Sequence, residues 1–274
     1  MSYDGFEALA VEVDRGVAFV TIDHPPINLF DLQLMQEIER VGRELEADDE
    51  VLAIVFRSAN PEFFIAHADV TLIQRLPTEV PPKSEALGFF HQLVDRFRTM
   101  PKVSIGQIEG CARGGGSEFL LSLDLRFAAL GRAVLGQPEV ALGIIPGGCG
   151  TQRLPRLMGR SRAVEAILGC DDFPADLAER YGWVTRALPA KELAPFVERL
   201  ARRIASFPKE AIAFAKASIN LSELPIVEGL VEEAHLFNQV VATESARERM
   251  SSFMKAGGQT REAELQLGAL MEKF

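Results

Sequence analysis

The chain has 274 residues, 47% of them hydrophobic and 25% charged, which is enough to bury a full core with ordinary surface polarity. The formal net charge of -10 argues against nucleic acid or an anionic membrane as partner, since both call for clustered Lys and Arg. No apolar run of about 18 residues occurs. The first residues lack a secretory pattern, and Cys111, Cys149 and Cys170 sit too far apart for a CxxC pair or zinc-ligand spacing. The expectation is a cytoplasmic protein with reduced thiols and no metal.

Glu7–Val13 and Val17–Ile22 flank Asp14-Arg15-Gly16 and predict a β-hairpin. Pro25 and Pro26 end it. Asp31 then opens a helix with Leu34, Ile38, Val41 and Leu45 on one face. Val51–Arg57 reads as a buried strand, Ser58–Ala68 as a loop, and Asp69 as the cap of a short helix. Pro77–Pro82 reads as a surface loop. Ser84 is expected to cap a helix carrying Leu87, Phe90, Val94 and Phe97, which Pro101 stops. Val103–Ile108 is a strand, Ser117–Leu123 a helix and Leu125–Ala129 another strand. Gln137–Gly150 is rich in Gly and Pro, with helical patterns at Gln152–Met158 and Ser161–Leu168. From Asp176 onward strand signals fade. Glu192–Ser206, Lys209–Asn220, Ile226–Thr243 and Glu244–Lys255 are amphipathic helical patterns. Strand–helix alternation followed by a helical last third predicts an α/β fold with loops for chemistry at the strand ends.

One of those loops is Ala112-Arg113-Gly114-Gly115-Gly116-Ser117-Glu118. A Walker loop needs Lys after its last Gly, and a dinucleotide fingerprint needs Gly where Phe119 stands. Glu118 would also repel a phosphate. What remains is a glycine-bared helix N-terminus, whose exposed N–H groups suit a small developing negative charge. Glu118 would be favoured there as an anion, though the same residues fit a tight packing turn with a first-turn acid. A second apolar approach to a turn, Phe63-Phe64-Ile65-Ala66-His67-Ala68-Asp69, offers another N–H donor. Gly136-Gln137-Pro138-Glu139 places a second carboxylate among apolar residues, although an acid in a turn is usually solvated.

Two long blocks, Ile108–Asp124 (I-E-G-C-A-R-G-G-G-S-E-F-x-L-x-x-D) and Gly136–Leu154 (G-Q-P-E-V-x-L-G-I-I-P-G-x-x-G-T-Q-R-L), resemble the enoyl-CoA hydratase/isomerase (crotonase) superfamily. The resemblance runs to about Leu188. It implies a crotonase-like spiral of ββα units over residues 1–188, a helical oligomerisation region over 189–274, and a homotrimer or a hexamer made of two trimers. It implies an acyl-CoA or enoyl-CoA substrate of the kind met in β-oxidation, with coenzyme A part of that substrate and no separate cofactor. Carried over by position, it makes Glu118 and Glu139 the catalytic pair and the N–H groups of Ala66 and Gly115 the oxyanion hole. Ile27, Ala66, His67, Ala68, Asp69, Val70, Gly114, Gly115, Pro138 and Gly147 would line the substrate and CoA site. Asp124 is expected to be structural, and Arg153 structural or part of the acyl pocket.

Both glutamates together favour a hydratase over an isomerase, a related lyase or a non-catalytic CoA-binding or assembly protein. Two departures stand out. His67 occupies a position where the family commonly has Gly, and a turn demanding φ > 0 would strain it. Pro25 and Pro26 lie where a basic residue often helps hold the CoA phosphates.

Overall fold

The computed structural model describes residues 3–77, 79, 82–257, 259–261 and 265–270. Strands β1 (Leu9–Asp14) and β2 (Val17–Ile22) form the expected hairpin. The parallel strands β3 (Ala53–Ser58), β5 (Val103–Ile108), β7 (Leu125–Leu130) and β10 (Arg186–Pro189) extend it into a six-stranded sheet of order β1-β2-β3-β5-β7-β10. The central strands are near-continuous runs of Val, Ile, Ala and Phe, as burial on both faces of a parallel sheet requires. Strand β1 is antiparallel at the edge and mostly exposed.

A second sheet of order β4-β6-β8-β9 is built from β4 (Phe63–Ile65), β6 (Cys111–Arg113), β8 (Val134–Gly136) and β9 (Phe173–Pro174). The pairs β3/β4, β5/β6 and β7/β8 each give their first strand to the large sheet and their second to the small one. That repetition is the spiral of ββα units. Strand β4 lies inside the segment expected to be loop, because three residues are too few to show an alternation.

Helix α1 (Leu32–Ala47) follows the sequence reading closely. Asp31 Oδ1 accepts from Leu34 N at 2.9 Å, and Leu34, Ile38, Val41 and Leu45 are buried. Helix α2 (Val70–Gln74) is capped by Asp69, whose Oδ1 accepts from Thr71 N at 2.8 Å. Helix α3 (Phe89–Thr99) starts later than expected, after Gly88; Ser84 instead bonds Ala86 through its hydroxyl in a local turn. Thr78, Val80 and Pro81 of the expected Pro77–Pro82 loop lie outside the described residues.

Helix α4 (Gly115–Ser122) has all eight residues buried and packs against α3, β4 and β6. Phe30, Phe56, Phe97 and Phe119 form edge-to-face contacts beside it, with centroids 5.0–6.0 Å apart. Helices α5 (Gly150–Met158) and α6 (Arg160–Gly169) follow β8, and α7 (Ala175–Tyr181) precedes β10.

The core does not stop at residue 188. Helix α8 (Ala190–Ala205) places Leu193, Val197 and Ala201 against Val17, Phe19, Val55, Ile105 and Phe127 of the large sheet. Helix α9 (Lys209–Asn220) is pinned as well: Lys216 Nζ donates to Phe97 O (2.7 Å), Lys102 O (2.7 Å) and Asp124 Oδ2 (2.8 Å). The same Asp124 oxygen accepts from Ser104 N (2.7 Å) and Ser104 Oγ (3.0 Å), a structural role for that acid. Helices α10 (Ile226–Val241) and α11 (Glu244–Lys255) bury no residue. Among the described residues no helix is long and apolar enough to cross a membrane.

Removing one partner of a buried ion pair leaves the other uncompensated. Lys216→Met is therefore expected to destabilise the protein by about 3 kcal/mol in urea unfolding. A change under about 0.5 kcal/mol would show that the pair does not hold α9.

Candidate active site

The site forms where both sheets hand the chain to α4. Gly114, with φ 48° and ψ -125°, turns β6 into the helix, in a conformation L side chains rarely adopt. A Cβ at Gly116 would lie 2.3 Å from the Ile65 carbonyl oxygen, so β4 passes directly over the start of α4. A Cβ at Gly115 would lie 2.9 Å from Ala68 Cβ, so the turn after β4 sits against the helix N-terminus.

This proximity decides which N–H groups are available. The Ala66 N–H is already used: it donates to Ile27 O at 3.3 Å, while Ala66 O accepts from Arg113 N at 3.2 Å. Ala66, expected as an oxyanion donor, is therefore not one here, because the Ile27 carbonyl already takes its N–H. Two residues on, Phe30 bridges to the other edge of the turn through His67 O and Asp69 N. The Ala68 N–H has no backbone acceptor among the described residues. Its nitrogen is 3.4 Å from the position a Gly115 Cβ would take. The Gly115 N–H, in the first turn of α4, has no intrahelical acceptor. Ala68 and Gly115 are thus the neighbouring free donors.

Glu118 is 4% exposed and Glu139 8% exposed. Glu118 Oε1 accepts from three consecutive backbone N–H groups, those of Gly148, Cys149 and Gly150, each at 2.8 Å. These donors belong to the entry of α5, so the helix dipole adds to them. Burial pushes the Glu118 carboxyl up, and the three N–H bonds pull against that rise. Glu118 Oε2 is left for another partner.

Glu139 lies in a short 3-10 turn after β8 (Glu139–Leu142). Burial, reinforced by the nearby Glu118 charge, pushes it up to about 7. A Cβ at Gly114 would lie 2.8 Å from Glu139 Oε1, which places this carboxyl over the glycine turn. With its amide nitrogen toward Glu139, Gln137 reaches both carboxyl oxygens at 3.1 and 3.0 Å. Two carboxyl groups thus sit side by side, both pushed up by burial, with three N–H donors opposing that rise at Glu118.

The enoyl-CoA hydratase/isomerase family profile matches residues 12–260. The short-chain enoyl-CoA hydratase of Clostridium acetobutylicum is 34% identical over 89% of this chain and 94% of its own length. The chain belongs to the enoyl-CoA hydratase/isomerase family. The crotonyl-CoA hydratase of Syntrophomonas wolfei is 32% identical over 91% of this chain and 96% of its own. The enoyl-CoA hydratase structure from Geobacillus kaustophilus superposes with a TM-score of 0.84 at 29% identity, over 92% of this chain and 95% of that one.

Within this family fold, the remaining positions singled out in the sequence take several places. Ile27 contributes the carbonyl that holds Ala66. Asp69 caps α2, and Val70 begins it with an exposed side chain. Pro138 precedes Glu139, and Gly147 is exposed one residue before the N–H trio. His67 does not have positive φ, so the strain expected of a non-Gly residue there is absent. Its Nδ1 donates to Ala68 O at 2.9 Å. In the Pro25-Pro26 segment, the neighbouring His24 is paired with Asp31 at 2.8 Å. Arg153 pairs with Asp95 of α3 at 3.0 Å, which makes it a tie between α3 and α5.

Sequence reasoning missed Gln137 and the N–H trio. The signal for the trio was present in Pro146-Gly147-Gly148-Cys149-Gly150, a glycine-rich helix entry read only as a loop. Its target, 30 residues away in sequence, needs the fold to be seen.

Gly116→Ala forces a side chain into the Ile65 carbonyl. It is expected to cost about 3 kcal/mol of stability in urea unfolding, by overpacking. An unchanged midpoint would mean that β4 does not press on α4 as described.

Proposed function

We propose that this protein is an enoyl-CoA hydratase that adds water across the C2=C3 bond of a 2-enoyl-CoA. The observation that carries the proposal is the pairing of two buried carboxyl groups, one held by three N–H donors and one raised to about 7, beside two free backbone donors. The relatives' names point the same way.

The thioester oxygen accepts from the N–H groups of Ala68 and Gly115. As hydroxide adds to C3, charge moves from the double bond onto that oxygen, and the two donors stabilise the enolate. One such donor contributes on the order of 3 kcal/mol to the barrier. Glu118 is the base. Its Oε1 is fixed by three N–H groups, and Oε2 takes a proton from the attacking water. Glu139 is the acid, and its carboxyl proton goes to C2. After the addition Glu118 holds a proton and Glu139 a negative charge, and exchange through solvent restores the pair. The Glu118 charge raises the Glu139 carboxyl, which couples the two in their titration.

Coenzyme A enters as part of the substrate, and the reaction transfers no electrons. Self-association into a trimer or hexamer is supported by α10, which leaves Ile226, Val227, Leu230, Val231 and Phe237 more than half exposed.

Crotonyl-CoA is expected to lose its ultraviolet absorbance on incubation with the protein as the conjugated bond is hydrated. Glu118→Gln and Glu139→Gln should each lower kcat by about a thousandfold. A tight CoA binder with no turnover of any enoyl-CoA would instead indicate a non-catalytic role.

The pH dependence has a definite sign. The acid must be protonated, so kcat/KM should be level just below about 7 and fall as pH rises through it. On the acid side it should fall as Glu118 takes up a proton. A profile still rising above pH about 8 would reverse the two roles.

A further inference from the structure

We infer that Phe90 is the wall that limits the acyl chain and makes this a short-chain enzyme. The inference rests on the acyl-CoA site proposed above. A Cβ placed on Gly148 would lie 2.4 Å from Phe90 Cε1 and 2.6 Å from Glu118 Oε2. The ring edge and that oxygen are therefore no more than about 5 Å apart. Oε2 is the Glu118 oxygen left for the attacking water, since Oε1 is held by the N–H trio.

The direction of the chain follows from the chemistry. The thioester oxygen sits at Ala68 and Gly115, C3 faces the water on Oε2, and C4 continues past C3. The Phe90 ring therefore stands beside the water on Oε2, in the path of the carbons beyond C3. A single methyl ends short of the ring, whereas a longer straight chain meets it.

The ring is held in place. Phe90 makes an edge contact with the fully buried Phe30 at 5.5 Å, and Phe30 in turn contacts Phe119, next to Glu118, at 6.0 Å. Its helix α3 is tied to α5 by Asp95–Arg153 and to α1 by the pairing of Arg96 with Glu39 and Glu46. Gly148 completes the constraint: any side chain there would strike both the ring and the carboxylate.

The test compares kcat/KM for straight-chain 2-enoyl-CoAs of four and eight carbons. The native protein should favour the four-carbon substrate by about tenfold or more, the range a hydrophobic pocket gives for extra methylenes. Phe90→Ala should raise the eight-to-four-carbon ratio at least about tenfold. Phe90→Leu, a milder change that guards against misfolding, should raise it about threefold. A ratio unchanged in both variants overturns the inference.

The same comparison is read in the Kd values of butyryl-CoA and octanoyl-CoA by calorimetry. This arm needs no turnover. Chain-length discrimination that relaxes in the variants, with no enoyl-CoA hydrated, would remove the hydratase reading and leave the wall standing. Hydration that proceeds with no discrimination would remove the wall and leave the hydratase reading.

Discussion

Three backbone N–H groups on one carboxylate oxygen hold this site together. Burying the Glu118 carboxylate alone would cost several kcal/mol. Hydrogen bonds to a charged group contribute about 1.5–3 kcal/mol each, so three of them are of the size needed to offset that cost. The donors are Gly148, Cys149 and Gly150, the entry of α5, and the acceptor stands in the first turn of α4. Two helices that face each other through their positive ends are thereby joined by one negative charge. The neighbouring Glu139 has no such set of N–H donors, and burial with Glu118's charge beside it pushes its carboxyl up to about 7.

The repeated strand pairs explain why these parts meet. Each of β3/β4, β5/β6 and β7/β8 ends its second strand on the same side of the small sheet. The turn after β4 brings the Ala68 N–H, the turn after β6 brings Gly115 and Glu118, and the turn after β8 brings Gln137 and Glu139. Close approach is the requirement throughout, and the glycines at 115 and 116 meet it by lacking a side chain. The buried Asn28, which donates to Ser58 Oγ, Phe63 O and Phe64 O, ties β3 and β4 to the segment between the hairpin and α1.

Much of this was legible in the chain. The helix face of α1, the cap at Asp69, the strand Val103–Ile108 and the glycine-bared entry of α4 all follow from local patterns that the fold leaves intact. The two glutamates are named by the blocks around them. What stayed hidden depends on contacts distant in sequence. The choice between Ala66 and Ala68 turns on which N–H the Ile27 carbonyl takes. Ser84 looked like a cap, yet its hydroxyl is satisfied by Ala86 and α3 waits until Phe89. Which of the C-terminal helices joins the core also stayed hidden, and it is α8 whose apolar face is matched to the large sheet. The ease of His67 follows from its backbone lying outside the left-handed region, with the needed positive φ falling on Gly114.

The central claim is that these two carboxyl groups hold different charges near neutral pH. It is tested most directly by a carbon-13 NMR titration of the glutamate carboxyls in the native protein, with Glu118→Gln and Glu139→Gln used for assignment. The account predicts that the Glu139 signal titrates at about 7, above Glu118, and moves down when Glu118 is neutralised. A Glu139 signal that titrates in the ordinary carboxylate range, or that ionises before Glu118, would contradict it.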